Sequence, residues 1–392
     1  MGNVNNLDFN QLATVLNEIT QEATGQASIV PTNTSEFISV GTTALNCGYD
    51  KLGTAISQVL QRTIFSIRPY YRKFAGLEAD SRRWGAITRK LSIVDKDFED
   101  ATRFELEDGA IPPSMYTVHK PSVLQENFYG ANIFDKAVSI YRDQLDQGFT
   151  GVDQFAEFLS MVMGNISDIR EQAYETVSRA TIGNLIGGTV AIGNENQTIH
   201  LLLEYNAQTG LSLTDTTVYQ PENFAPFMKW VYARVAEISA KLTERTMIYH
   251  QNVEGKVVMR HTPYERQKVY LYAPTRYQMD ARVIADTFHD SYLRYADTET
   301  VNFWQSIEKP DEIQVTPSYL DTDGTIKTGE ATTVSKLFGA IFDEDAAGIQ
   351  FFNEWAAPTP FDARNGYYND WYHWTIRFWN SFTENVIVLQ LD

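Results

Sequence analysis

The spacing of apolar residues predicts one long helix near the middle of the chain, starting at Thr150 and ending near Ile186. Its apolar side chains recur at alternating steps of four and three, so they share one face: Phe155, Leu159, Val162, Ile166, Ile169, Ala173 and Val177. Thr150 and Asp153 fit a capping box. Three glycines give stop signals at the far end: Gly183, Gly187 and Gly188. Roughly thirty residues at about 1.5 Å each span about 45 Å, so we expect the helix to pack along an extended sheet.

Shorter patterns precede this helix. An amphipathic helix is predicted from Asp8, with its apolar face formed by Leu12, Val15, Leu16 and Ile19. A second short helix is expected near Thr54, with Ile56, Val59 and Leu60 facing inward. The other elements expected here are an extended arm over residues 24–46, strands over 64–68 and 116–119, and a helix over 132–147.

Helix and strand patterns alternate after Pro221, which favours a compact α/β-type lobe. The helix over residues 221–244 has the clearest inward face, formed by Phe224, Phe227, Val231, Val235, Ile238 and Leu242. A further helix is expected over residues 277–288. Strands are expected over residues 199–205, 246–250, 268–273, 301–307 and 312–316.

The C-terminal segment is the densest in aromatic residues. Alternating side chains predict a strand with one face on a core: Tyr372, Trp374, Ile376 and Phe378 alternate with polar His373, Thr375 and Arg377. Exposed rings on such a sheet could instead stack on sugars. The continuous apolar run at residues 386–389 is typical of a central strand.

Residues 72–108 form the most charged segment, where nearly half of the side chains are ionisable, against 21% in the whole chain. Basic residues come first and acidic residues follow. The two halves could pair as a two-stranded hairpin with opposite charges facing each other, and with few large apolar side chains it should add little to a core. A solvated loop is the alternative interpretation.

Composition excludes several classes of protein. A net charge of −18 disfavours binding to a nucleic-acid backbone, although the protein could enclose a nucleic acid. The single cysteine, Cys47, excludes an internal disulfide and a multi-cysteine metal site, and it fits synthesis in a reducing compartment. We find no basic leader and no apolar run of membrane-spanning length, so we expect a soluble protein made in the cytoplasm.

No motif in the chain predicts catalysis, a cofactor or a metal. Residues 319–330 approach a calcium loop through Asp321, Asp323, Gly324 and Glu330, but Tyr319 replaces the first carboxylate, so we favour a hairpin turn at Asp323-Gly324. The six histidines lack metal-ligand spacing. Gly188 and Gly193 have phosphate-loop spacing without its lysine, and we interpret them as turn residues.

Three stretches carry a family resemblance: Phe128-Tyr129-Gly130 leading through Ile133 to the helix around 154–174, residues 336–345, and residues 364–369 followed by the aromatic strand. Their order resembles the major capsid protein of tailed bacteriophages, and the resemblance is closest to those of small short-tailed phages. It implies an α+β chain with the Hong Kong 97-type capsid fold: an N-terminal arm, a hairpin called the E-loop, a P-domain with a long spine helix and sheet, and a compact A-domain.

The resemblance also implies a division of the chain. The arm would cover residues 1–65, and the E-loop with flanking strands 66–120. The P-domain would cover 121–219, with the spine helix at about 151–183, and its return strands 341–382. The A-domain would cover 220–340, with a terminal strand at 383–392. Intersubunit contacts of the E-loop would be made by Arg82, Trp84, Arg83, Arg89, Lys90, Asp97, Glu99 and Asp100.

The implied function is structural: a subunit that self-assembles, as hexamers and pentamers, into an icosahedral or prolate shell enclosing double-stranded DNA. Scaffolding and portal proteins would be its partners, and the virion its location. Two alternatives remain open at this point. One is the shell of an encapsulin-like cellular compartment. The other is an aromatic-rich carbohydrate-binding protein or glycosidase.

Overall fold

The computed structural model describes residues 8–26, 30–62, 73–79, 87–94, 116, 122–129, 132–279 and 298–392. Its helices are α1 (Phe9–Thr24), α2 (Thr34–Asn46), α3 (Tyr49–Arg62), α4 (Arg142–Gly148), α5 (Val152–Ile192), α6 (Leu201–Thr209), α7 (Pro221–Leu242) and α8 (Ala273–Met279). Its strands are β1 (Ile87–Ile93), β2 (Val123–Tyr129), β3 (Asn132–Tyr141), β4 (Thr198–His200), β5 (Gln267–Tyr272), β6 (Thr298–Val301), β7 (Ile313–Val315), β8 (Ser318–Leu320), β9 (Ile326–Thr328), β10 (Thr332–Val334), β11 (Leu337–Asp343), β12 (Ala347–Pro358), β13 (Tyr367–Asn380) and β14 (Val386–Gln390).

Helix α5 is the predicted long helix, and it is longer than the sequence indicated, with 41 residues. The predicted capping box at Thr150 is wrong, because Gly151 is the N-cap residue and the Thr150 hydroxyl donates to the Gln147 carbonyl at 2.6 Å. The predicted stop signals are also wrong, since the helix continues to Gly193, whose φ of 73° ends it in the left-handed conformation.

Gly187 and Gly188, both inside α5, allow close packing. A Cβ atom added to Gly187 would lie 2.2 Å from Val315 Cγ1, and one added to Gly188 would lie 2.6 Å from the Phe382 ring. Strands and loops therefore approach the helix more closely there than a larger residue permits. The interpretation of Gly188 as a turn residue is wrong for this reason, whereas Gly193 does lie at a helix end.

The first apolar core lies between the N-terminal helices and the three-stranded sheet. Helices α1, α2 and α3 pack with the first turns of α5 against the inner face of the sheet β12-β13-β3. The predicted faces of the first two helical patterns are buried here wherever their side chains are described: Leu12, Val15, Leu16 and Ile19 in α1, and Ile56 and Val59 in α3. The extended arm predicted over residues 24–46 is wrong, because α2 forms there with Phe37 and Ala44 buried.

The second and third cores lie on the two faces of a five-stranded sheet, β4-β14-β11-β5-β6. The last turns of α5 cover one face, and α6 with α7 cover the other. All six predicted core residues of α7 are buried, which confirms that face. Every residue of β14 is buried between β4 and β11, as its continuous apolar run predicted.

Several local predictions are wrong. Residues 132–141 form strand β3, which pairs with β13 over ten residues, and the helical part is only α4. Strand β4 ends at His200, where α6 begins. Residues 246–250 contribute one isolated bridge, Thr246 with Arg260. The strands predicted over residues 64–68 and 116–119, and most of the helix over 277–288, lie outside the described residues.

The aromatic strand β13 faces the core as predicted only along part of its length. Tyr372, Trp374 and Ile376 are buried, but Phe378 is 41% exposed and Arg377 is buried in its place. The neighbouring strand β12 has a register shift between Phe351 and Glu354. This irregularity accompanies the loss of alternation, which a strict period of two along the sequence does not anticipate.

Candidate assembly interface

Strands β1 and β2 form an antiparallel two-stranded ribbon, from Ile87 paired with Tyr129 to Ile93 paired with Val123. The described partner of β1 is therefore β2. The predicted pairing with the acidic segment stays a prediction, because residues 95–108 lie outside the described residues. On the inward side of the ribbon Lys90 lies opposite Glu126, and Ser92 lies opposite Leu124.

Two of the eight predicted contact residues lie on this ribbon and differ in orientation. Arg89 is exposed on the outward face, whereas Lys90 faces the body of the subunit. Its ammonium group lies 2.5 Å from Glu384 Oε1 and 3.3 Å from Glu126 Oε2. Lys90 thus forms ion pairs within its own subunit, and its role as an intersubunit contact stays a prediction. The other six, Arg82, Arg83, Trp84, Asp97, Glu99 and Asp100, lie outside the described residues.

The outward face of the ribbon carries large apolar side chains beside the polar Arg89, Gln125 and Asn127, a feature that the sequence analysis missed. Four large side chains on it are exposed in the subunit: Leu91 by 63%, Ile93 by 72%, Val123 by 44% and Tyr129 by 69%. Their spacing of two along each strand was a usable signal, but the surrounding charges masked it. Exposed apolar side chains that lie next to one another often mark interaction surfaces in soluble proteins.

The inward face of the ribbon carries buried charge. Glu384 lies between Lys90 and Arg260, at 2.5 Å and 3.3 Å respectively. Burial raises the pKa of Glu384, and the two cations oppose that shift. We call Lys90, Glu126, Arg260 and Glu384 the ribbon anchor, because they join the ribbon to the body. The described part of the E-loop segment therefore makes buried ionic contacts with the body, although its large apolar side chains Leu91 and Ile93 are exposed.

The aromatic residues on the outer face of the three-stranded sheet do not form a sugar platform. Trp355 stacks on His373 with ring centroids 3.9 Å apart, and Trp371 lies nearly parallel to the same imidazole. Trp355 and His373 therefore each cover one ring face of the other, which reduces the ring surface open to a sugar. This geometry does not favour the carbohydrate-binding alternative.

The approximate calcium loop is a turn between β8 and β9. Gly324 has a φ of 80°, and the carboxylate of Asp321 accepts a hydrogen bond from Lys327. Within the described ranges, no group of three or more His, Cys, Asp or Glu side chains has a metal-binding arrangement. The helices described here also include none that is both long and apolar enough to cross a membrane.

Two solved phage structures are similar to this chain. A capsid structure of Staphylococcus phage Andhra aligns with a TM-score of 0.56 and 12% identity, over 84% of this chain and 87% of that one. A structure of native bacteriophage P68, described as its head fiber and inner core protein gp22, aligns with a TM-score of 0.56 and 11% identity, over the same shares. A comparison with curated protein sequences finds no match.

At such low identity the two alignments establish the fold alone, and that fold is the Hong Kong 97-type fold of phage capsid shell proteins. The profile of the family described as Phi29-like phage major capsid protein matches residues 13–390. The chain belongs to this family, and it is a structural shell protein of a bacteriophage virion. Neither the encapsulin nor the carbohydrate-binding alternative has support from these comparisons.

Proposed function

We propose that this chain assembles through hexamers and pentamers into a closed icosahedral or prolate shell around double-stranded DNA, and that the β1–β2 ribbon lies on a neighbouring subunit. The observation that carries the proposal is the apolar outward face of the ribbon, with Leu91 and Ile93 more than half exposed. The ribbon anchor holds the opposite face on its own body, so this apolar face is directed away from that body.

Burial of one such side chain contributes roughly 1.5–3 kcal/mol. A single contact of this size is weak, but a closed shell repeats it at every equivalent subunit interface. Six charged residues are proposed to add electrostatic contacts beside the apolar ones: Arg82, Arg83, Arg89, Asp97, Glu99 and Asp100. Trp84 is proposed to add a further contact through its ring. Exposed ion pairs contribute only about 0–1 kcal/mol each, so their share of the free energy of the contact is smaller than that of the apolar side chains.

The charge of the chain supports one further part of the proposal, the enclosure of DNA. A net charge of −18 suits a wall that encloses DNA without binding its backbone. Scaffolding and portal proteins are the proposed partners, synthesis takes place in the host cytoplasm, and the chain catalyses no reaction. The proposed domains are the arm (1–65), the E-loop (66–120), the P-domain (121–219 and 341–382) and the A-domain (220–340 with 383–392).

The test removes apolar surface from the outward face without adding charge. The double variant Leu91→Ser with Ile93→Ser is expected to fold with an unchanged melting temperature and to form no shells under negative-stain electron microscopy. Gln125→Ser on the same face is the matched control, because that side chain is exposed and already polar, and it should assemble normally. Normal shells from the double variant would refute the ribbon contact.

A further inference from the structure

The ribbon is joined to the body of its own subunit through charged and polar groups, beside the apolar contacts of Leu124 and Phe128. Lys90 Nζ donates to Ser381 Oγ at 2.8 Å and to Thr383 Oγ1 at 3.3 Å, in addition to its two carboxylate partners. Glu126, on the second strand of the ribbon, accepts a hydrogen bond from Thr383 Oγ1 at 2.7 Å. Both strands are therefore bound to the short segment that precedes β14.

Arg260, a residue of the subunit body, binds the same segment before β14. Its Nη2 atom lies 2.7 Å from Ser92 Oγ on the ribbon and 3.3 Å from Glu384 Oε1, and its Nε donates to the Thr383 carbonyl at 3.0 Å. Glu384 thus has one cation from the ribbon and one from the body. The anchor contains two cations and two carboxylates, so its formal charge is balanced.

All four charged side chains of the anchor are largely withdrawn from water. The exposed fractions are 18% for Lys90, 12% for Glu126, 17% for Arg260 and 9% for Glu384. The apolar cluster beside them is small, with Leu124, Val253 and Val258 as its buried members. A buried ion network contributes little net stability. It does favour one arrangement of its side chains, because a buried charge without its partner is costly.

We infer that Lys90, Arg260 and Glu384 are positioning residues, which fix the direction in which the ribbon leaves the subunit and so aim its apolar face. This inference rests on the proposed role of the ribbon as an intersubunit contact. The seven paired positions between β1 and β2 hold the ribbon together as one unit. Loss of the anchor is therefore expected to release the ribbon as a whole, with its internal pairing intact.

A distance measurement between spin labels tests the inference on the unassembled full chain. The single native thiol is removed by Cys47→Ser, and labels are attached at Gln125→Cys on the ribbon and Lys229→Cys on α7, both exposed positions. We expect one narrow distance distribution with the native anchor. Lys90→Met should broaden the distribution and shift its maximum, because Glu384 then loses the cation that holds the ribbon.

Arg89→Met is the matched control, since it removes the neighbouring cation from the outward face, and it should leave the distribution narrow. Lys90→Arg keeps the charge and should also leave it narrow. Glu384→Gln provides a second test if Lys90→Met does not fold, and it should broaden the distribution as well. A purely structural role would lower the melting temperature of these variants while the distribution stayed narrow, and that result would overturn the inference.

The two proposals fail in different experiments. Normal shells from Leu91→Ser with Ile93→Ser would remove the intersubunit role of the ribbon, whatever the label distances show. Unchanged distances in both Lys90→Met and Glu384→Gln would remove the positioning role, whatever the effect of the serine variants on assembly.

Discussion

His250 is a buried histidine whose surroundings make the stability of the subunit depend on pH. Burial lowers its pKa to about 4 from an ordinary 6.5, although its ring contacts the Val258 carbonyl at 2.8 Å. Between these values the unfolded chain binds a proton that the folded chain does not, so stability rises with pH through that window. We expect protonation of His250 in the unfolded chain to lower the free energy of unfolding by about 3 kcal/mol between pH 7 and pH 4.

The measurement is urea unfolding at pH 7, 5.5 and 4 for the native chain and for His250→Gln. Glutamine retains a donor for the Val258 carbonyl but takes up no proton, so the variant should lose less stability in acid. Equal losses in the two proteins would show that His250 does not titrate in this way.

The same substitution, glycine to alanine, is expected to change stability in opposite directions at two positions of α5. Gly188→Ala places a Cβ 2.6 Å from the Phe382 ring and 3.3 Å from Tyr319 Cβ, so we expect it to cost about 1–3 kcal/mol. Gly183→Ala meets only Ile313 Cγ2, at an ordinary 3.6 Å, and should stabilise the helix by up to about 1 kcal/mol. Thermal unfolding of both variants checks this, and a stabilised Gly188→Ala would contradict the close-packing account.

These glycines show why residue-level prediction was incomplete. From the sequence alone, Gly183, Gly187 and Gly188 read as stop signals, because glycine has a low helix propensity. The role of Gly187 and Gly188 depends on Val315 and Phe382, which are more than a hundred residues away. Such a contact leaves no local signal. The burial of Lys90 was missed for the same reason, since its partner Glu384 is even more distant in sequence.

At the scale of elements, the predicted stripe of α5 should be essential to the fold. Leu159 is 1% exposed in the first apolar core, so Leu159→Asp buries an unpaired charge and should cost several kcal/mol, of order 3–5. Met161→Asp is the matched control two residues away, at a side chain that is 50% exposed, and should change the free energy of unfolding by less than about 1 kcal/mol.

Urea unfolding compares the two variants. Equal stabilities would mean that the buried face of α5 is assigned wrongly. The stripe member Ile166, whose side chain lies outside the described residues, cannot serve in this comparison.

Elements with strong periodicity were predicted well. Helices α1, α3 and α7 have apolar faces that a 3.6-residue period reveals, and α7 matches within two residues. Strand β3 was assigned to a helix because its conformation depends on ten pairs with β13, residues 367–376. Strand formation depends more on the neighbouring strand than on local propensity, so this error has a physical cause.

At the scale of the whole molecule, assembly should have a salt-dependent part. Arg82→Glu with Arg83→Glu is expected to weaken shell formation more at low than at high ionic strength, because exposed charges are screened beyond a Debye length of about 8 Å at physiological salt. Light scattering across a salt series measures this difference. The double variant Leu91→Ser with Ile93→Ser should instead form no shells at any ionic strength. If both double variants responded equally to salt, the separation of the interface into apolar and charged contacts would be contradicted.

The order of elements along the chain was sufficient to predict the fold class, because the stretches quoted for the resemblance lie around α5 and in the two main sheets. The interface could not be derived in the same way. Its apolar face exists only when β1 and β2 pair, across the intervening residues 94–122. A sequence window of strand length contains only half of that surface.

Negative-stain electron microscopy of the purified full chain tests the central claim most directly, with and without a co-expressed scaffolding partner and over a range of concentration and salt. A shell protein of this family should form closed or aberrant shells in at least one of these conditions. A species that stays monomeric in all of them would contradict the account.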